Sequence, residues 1–337
     1  MGKTLLEISK EIGVSTATIL RVLCGDDCVS PETREKVLSA VKASGYEKRP
    51  RRRSAELRNN GTAMIIAGQL HNPITLGFID GIRQRLAREG MRTVISLSDY
   101  ETAVECDALK YAAKNGFSGI FLLNAIESKK LVDLIREIKA PLVFVNRFLR
   151  SVDSDVVTVD NYRCGYLATA YLIARGHRRI AHIAGPETSV TCRDRMQGYL
   201  DAMHEYGLTT ESDFVFYGDR RYKSGCEFGA LISGLPKEKR FTAVFSATGL
   251  MAAGMVDTLR GYGIRVPDDV SVICNDDYSR DYMPCPIDFT TYEQDPIQMG
   301  NTAAELLLER IAAPDGAPKR MVFPPILTEH NSVILKR

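Results

Sequence analysis

The chain has 337 residues, long for a single hydrophobic core, so two or three domains are expected. Its 45% apolar and 26% charged residues describe an ordinary globular protein, and no apolar run reaches the roughly 18 residues of a membrane-spanning helix. The net charge of +2 is unevenly placed: residues 1–60 hold 12 Lys and Arg against 8 Asp and Glu, the remainder 32 against 34, so positive charge gathers where a polyanion would be met.

Lys3, Glu7, Lys10 and Glu11 stand where an export signal needs an apolar stretch, so the expected location is the cytoplasm. In that reducing compartment Cys24, Cys28, Cys106, Cys164, Cys192, Cys226, Cys274 and Cys285 read as buried small hydrophobes rather than disulfides. Cys24 and Cys28 lack a second Cys or His pair at ligand spacing, so no metal site is expected.

Thr4 and Glu7 form a capping box that starts a first helix at Leu5. Leu5, Ile8 and Ile12 share one face, and Gly13 stands where the helix stops. Ser15 offers a second N-cap, and Ile19, Val22 and Leu23 stripe the next helix, leaving Thr16, Ala17, Thr18 and Arg21 outward. Two short helices about a glycine turn are either a plain helical hairpin or a helix-turn-helix, whose second helix can lie in a major groove with its first residues at base edges. Ser30, Pro31 and Glu32 then open a third helix with Val37, Leu38 and Val41 as its buried face and Gly45 at its end. Three such helices share one miniature core, which favours the DNA-binding reading.

The run GVSTATILRVL followed by VSPETREKVLSAVKASGY resembles the headpiece of the LacI/GalR family of bacterial transcription regulators. The resemblance implies base reading by Thr16, Ala17 and Arg21 and phosphate contacts from Ser15 and Thr18, with Thr4 also placed on the DNA. Leu20 replaces the usual serine and Cys24 the usual asparagine. The basic run 48–53, KRPRRR, by itself reads as a solvated linker; leaving such a headpiece, it brings Arg51 and Arg52 within reach of phosphates. In the family this segment folds on DNA into a hinge helix whose leucine wedges the minor groove, and Leu57, spaced from Pro50 as in the family, is the candidate lever. Arg53 and Ser54 depart from the usual apolar-Ala pair. The expected divisions are a headpiece over 1–46, a hinge over 47–61 and a core over 62–337.

From Thr62 the texture changes. TAMIIAG, RTVISL, GIFLL and PLVFV alternate with helical patterns over 78–88, 105–114 and 130–137. A second set follows: a helix over 161–175, IAHIAG, a helix over 193–205, DFVFYG, TAVFS, a helix over 251–260, and VSVIC. Such alternation means βαβ units and parallel, doubly wound sheets. The fold class is therefore a small all-α helix-turn-helix headpiece plus an α/β core of two doubly wound subdomains. Ligands bind such sheets at the C-terminal strand ends, which here are His71, Asn72 and Pro73; Asn146 and Arg147; Gly185 and Pro186; and Asn275, Asp276 and Asp277.

The stretch VDNYRCGYLATAYLIARGHRRIAHIAGP with RMQGY after it is similar to the same family's effector core, which is periplasmic-binding-protein-like. That implies three crossings between lobes, near Val159, Thr290 and Met321, giving an N-subdomain of about 62–159 plus 291–320 and a C-subdomain of about 160–289 plus 321–337. It also implies effector contacts from Arg195, whose planar fork grips two hydroxyls or a carboxylate, from Asp276, which accepts from vicinal hydroxyls, and from Asn146. Asn72, Pro73 and Thr248 complete the expected site. Thr248 and Gly249 stand where the family usually has Asn-Asp; losing that acid near Arg195 suits a sugar acid or sugar phosphate as well as a sugar.

No nucleotide-binding glycine motif, phosphate loop or nucleophile elbow occurs, and His177 and His182 have no evident Ser or Cys partner. The chain is thus expected to be no enzyme and to need no cofactor. Its expected partners are double-stranded operator DNA, a small carbohydrate-type effector, and a second copy of itself in a homodimer or a tetramer, with no membrane. The competing accounts are a solute-binding receptor with the same core and an α/β enzyme with a DNA-targeting headpiece.

Overall fold

The computed structural model describes residues 5–23, 29–44, 61–70, 72–210, 214–276 and 285–336. They fall into two compact units, Met1–Asn59 and Asn60–Arg337. The first contains α1 (Leu5–Ile12), α2 (Thr16–Leu23) and α3 (Pro31–Ala43) around fully buried Ile8, Ile19 and Val37. Ser15 caps α2, its Oγ accepting from the Thr18 amide at 3.1 Å, and Gly13 takes the left-handed backbone of the turn at φ 67°. Leu38, expected inside, is exposed: it lies about 100° round the helix from Val37, whereas Ala40 and Val41, about one turn on, share that inward face. Ser30 caps α3 by accepting from the Thr33 amide. Ser30→Ala is expected to lower headpiece stability by about 1 kcal/mol, read as an earlier first transition in thermal unfolding of the whole chain. Thr4, Arg51, Arg52, Leu57 and residues 45–60 lie outside the described residues, as do the side chains of Ala17 and Arg21.

The second unit holds two sheets. The first contains β1 (Thr62–Ala67), β2 (Arg92–Leu97), β3 (Gly119–Leu122), β4 (Leu142–Val145), β5 (Asp155–Val159) and β11 (Arg320–Phe323), in the order β11-β5-β4-β3-β1-β2, all parallel. Alternate residues of β1 point to opposite faces. Ala63, Ile65 and Ala67 pack under α4 (Pro73–Ala87) and α11 (Pro296–Ala312), while Met64 and Ile66 pack under α5 (Thr102–Lys114) and α6 (Lys129–Glu137). Both faces being covered, the central strands are apolar throughout.

The second sheet contains β6 (Ile180–Ala184), β7 (Val215–Tyr217), β8 (Ala243–Ser246), β9 (Ser271–Asn275), β10 (Thr290–Glu293) and β12 (Ile326–Thr328), in the order β12-β10-β9-β8-β6-β7. It is parallel except where β12 runs against β10. With it come α7 (Asn161–Ala174), α8 (Val190–Glu205), α9 (Tyr222–Gly234) and α10 (Gly249–Gly261). The chain passes between sheets after Val159, after Glu293 and after Phe323. The last two passages fall a few residues beyond the divisions read from sequence, because β10 pairs with β9 and β11 with β5. Cys106, Cys164, Cys192 and Cys274 are buried, and none of them is in a disulfide. Among the described residues, no helix is long and apolar enough to cross a membrane.

Candidate ligand-binding cleft

Five non-glycine residues of known placement have left-handed backbones: Asp99, Tyr100, Asn146, Arg220 and Asp276. Each follows a strand end, of β2, β4, β7 or β9, so this costly conformation is confined to the C-terminal edges of the two sheets. Sheet geometry and backbone strain thus single out the same region.

Arg195 and Asp276 form its buried centre, both on the second sheet's side. The Arg195 guanidinium donates from Nε to Asn161 Oδ1 at 2.9 Å, from Nη1 to the Ala247 carbonyl at 2.7 Å, and from Nη2 to Asp276 Oδ2 at 3.5 Å. Each side chain of this pair is 8% exposed. Asp276 also accepts from the Gln294 amide at 3.3 Å and from Gln294 Nε2 at 2.9 Å. Burial pushes its carboxyl above the ordinary carboxylate range, against the pull of Arg195 and Gln294. Arg195 is set by close helix packing: a Cβ on Gly165 of α7 would lie 1.9 Å from the Arg195 carbonyl oxygen, so only glycine lets α8 come this near.

The remaining expected ligand residues serve as caps or turns. Asn72 Oδ1 caps α4 through the Ile74 amide at 3.0 Å, with Pro73 at the first helical position. Thr248 Oγ1 caps α10 through the Met251 amide at 3.3 Å. Asn146 is half-buried; its backbone N–H donates to the Val157 carbonyl and its carbonyl accepts from the Thr158 hydroxyl. Asp277 and His71 lie outside the described residues.

Arg147 is expected only as a strand-end residue, and Glu105, Tyr100 and Arg220 carry no signal in the sequence. Arg147 is 4% exposed, and its Nε has no hydrogen-bond partner among the described residues. Glu105 on α5 is 1% exposed with neither carboxylate oxygen hydrogen-bonded, and burial pushes its carboxyl up to about 7 while Arg147 opposes the rise. The Tyr100 ring has the Arg147 guanidinium 5.9 Å and the Arg220 guanidinium 5.7 Å from its centre, so groups from both lobes meet on one ring. Asp99 and Tyr100 carry no sequence motif; only their strained backbone gives them away. At the crossover, Arg150 reaches Asp194 of α8 at 2.6 Å, and a cavity of about 350 Å³ opens among Phe148, Thr158, Asp160, Asn161, Asp194 and Arg320.

His177 and His182 serve the packing of the second lobe. His182 is buried in a stack with Tyr199 and Phe245, donates from Nδ1 to the Phe245 carbonyl, and is held neutral by burial, its pKa lowered to about 4. His177 bridges the Thr242 hydroxyl and the Ile334 carbonyl, tying down the C-terminal segment.

A helix-turn-helix unit joined in one chain to a two-lobed core with a polar cleft defines a ligand-responsive DNA-binding regulator. Residues 4–48 match the bacterial regulatory proteins, lacI family, and residues 169–333 match the periplasmic binding protein-like domain. The HTH-type transcriptional regulator CelR of Thermobifida fusca is 33% identical over 338 residues, covering 98% of each chain. The structure of a transcriptional regulator CelR–cellobiose complex superposes with a TM-score of 0.73 at 31% identity, over 98% of this chain and 99% of that one. The lac repressor dimer bound to operator and the anti-inducer ONPF shares the fold, with a TM-score of 0.75 at 21% identity over 99% and 100% of the two chains. The chain belongs to the lacI family of bacterial regulatory proteins and is a DNA-binding transcription regulator.

Proposed function

We propose that the protein is a cytoplasmic repressor, active as a homodimer, that releases or grips its operator according to a small carbohydrate held between the core lobes. The observation that carries the ligand reading is the buried Arg195–Asp276 pair at the strand ends: a planar donor and a carboxylate side by side match adjacent sugar hydroxyls. The cellobiose in the CelR complex supports the ligand class. Asn146 faces the same need from the other lobe, with Asn72, Pro73 and Thr248 at the rim. A ligand that fits one arrangement of the lobes better than another shifts the population toward it, which is all the control of DNA affinity requires.

On the DNA side, Thr16, Ala17 and Arg21 read bases, Ser15, Thr18 and Thr4 hold phosphates, Arg51 and Arg52 add charge, and Leu57 wedges the minor groove. Dimerisation is supported by β2, an edge strand that leaves Val94, Ile95 and Leu97 each about two-fifths exposed. An uncovered apolar edge is a pairing surface.

The test is a mobility-shift screen of native genomic fragments against random competitor, with carbohydrates added to the bound complex. A specific fragment is expected whose occupancy changes with one sugar class and falls steeply with salt. A monomer in sedimentation at micromolar concentration, with no fragment preferred, would sink the proposal.

A further inference from the structure

The charge balance of the cleft says more about the ligand, given the reading above that a small carbohydrate binds there. Three arginines converge on it. Arg195 is committed to Asn161, the Ala247 carbonyl and Asp276. Arg147 is buried with Nε unbonded among the described residues, and its guanidinium lies 5.9 Å from the centre of the Tyr100 ring. Arg220 is half-buried, and its guanidinium lies against Tyr100 of the first lobe. Among the described residues neither Arg147 nor Arg220 forms an ion pair, whereas neighbouring arginines do. Nearby acids are turned elsewhere: Asp219 accepts from the Arg221 amide and Ser224, and Asp99 from Gln69. Among the described residues that leaves Glu105 beside Arg147 and Asp276 beside Arg195, with no acid paired to Arg220.

A buried guanidinium without hydrogen bonds is costly, and the cost is relieved by an anion that brings its own oxygens. Two oxygens of a carboxylate or phosphate match the guanidinium fork. Tyr100 is set firmly in place, its ring lying within 2.3 Å of where a Cβ on Gly68 would stand, so the residue at 68 must be glycine for the ring to sit there. The geometry points to an acidic carbohydrate, whose carboxylate or phosphate is gripped beside the Tyr100 ring by Arg147 from one lobe and Arg220 from the other. The two arginines then act as a clasp: the anion joins the lobes, and the closed arrangement is favoured in proportion to its charge.

The experiment is calorimetric titration of the full chain with hexoses, pentoses and disaccharides, each beside its carboxylate and its phosphate derivative, with inorganic phosphate alone as the anion control. At least one acid is expected to bind about tenfold or more tighter than its neutral parent, and the carboxylate and phosphate arms identify which anion the clasp takes. That preference should shrink as salt rises and fall to near parity in Arg220→Gln, with Arg220→Lys, which keeps the charge but loses the fork, in between. Each ratio is read within one variant, so a general loss of affinity does not imitate the result. A neutral parent that binds as tightly as its acids, or an acid preference that survives in Arg220→Gln, overturns the clasp while leaving the carbohydrate reading intact. Binding of no carbohydrate in any form overturns that reading itself.

Discussion

Arg195→Ala is expected to destabilise the core by about 3–5 kcal/mol and to remove ligand binding. The size follows from what is left behind. Among the described residues Asp276 keeps only Gln294 as a partner at 8% side-chain exposure, and the Ala247 carbonyl and Asn161 Oδ1 lose their donor. A buried carboxylate stripped of its counter-ion costs far more than the ion pair contributes over a neutral, well-packed replacement. Adding Asp276→Asn to Arg195→Ala should therefore recover part of the loss, giving a double variant less destabilised than the sum of its singles. Arg195→Lys restores the charge without the three-way fork and is expected to fall between, with weaker ligand binding than wild type. Denaturant unfolding of the core, followed beside calorimetric titration, reads both effects. A loss below about 1 kcal/mol in Arg195→Ala would mean that Asp276 is protonated or solvated after all, and the electrostatic description of the cleft would fail.

What could be read from the sequence divides along physical lines. The headpiece helices were legible because Ser15, Ser30 and Pro31 mark their starts chemically, and Ile8, Ile19 and Val37 their faces. Strands such as β1 and β4 were legible because burial on both faces demands continuous apolar runs. Helix α9 escaped because YKSGCEFGALISG carries three glycines, which lower helix propensity, while the structure uses the absent side chains of Gly225 and Gly229 to seat α10 against it. The edge strands β11 and β12 escaped because their exposed faces break the apolar pattern. At the cleft, Arg195 and Asp276 could be named from their surroundings in the sequence. Tyr100 and Arg220 could not, since what distinguishes them is a left-handed backbone and a contact between segments 120 positions apart.

The pH dependence of core stability should turn on Glu105. This carboxyl stands in the first turn of α5, 1% exposed and with neither oxygen hydrogen-bonded, and burial raises it from the usual 4.5 to about 7. Its folded form keeps a proton that the unfolded chain has already released, so its favourable contribution is complete below about pH 4.5 and is lost as pH rises toward 7. A shift of this size corresponds to about 3 kcal/mol. His177 and His182 act in the opposite sense: burial lowers both from 6.5 to about 4, so their contribution is present above pH 6.5 and is lost as pH falls. The opposed terms flatten the wild-type curve and hide Glu105 within it. Glu105→Gln removes one term and leaves the histidines, so relative to wild type it should gain about 3 kcal/mol between pH 4.5 and 7 and run parallel above that. Wild-type and variant curves that stay parallel across the whole range would show that Glu105 titrates alike in the folded and unfolded chain, with Arg147 or a bound water supplying the hydrogen bonds it lacks here.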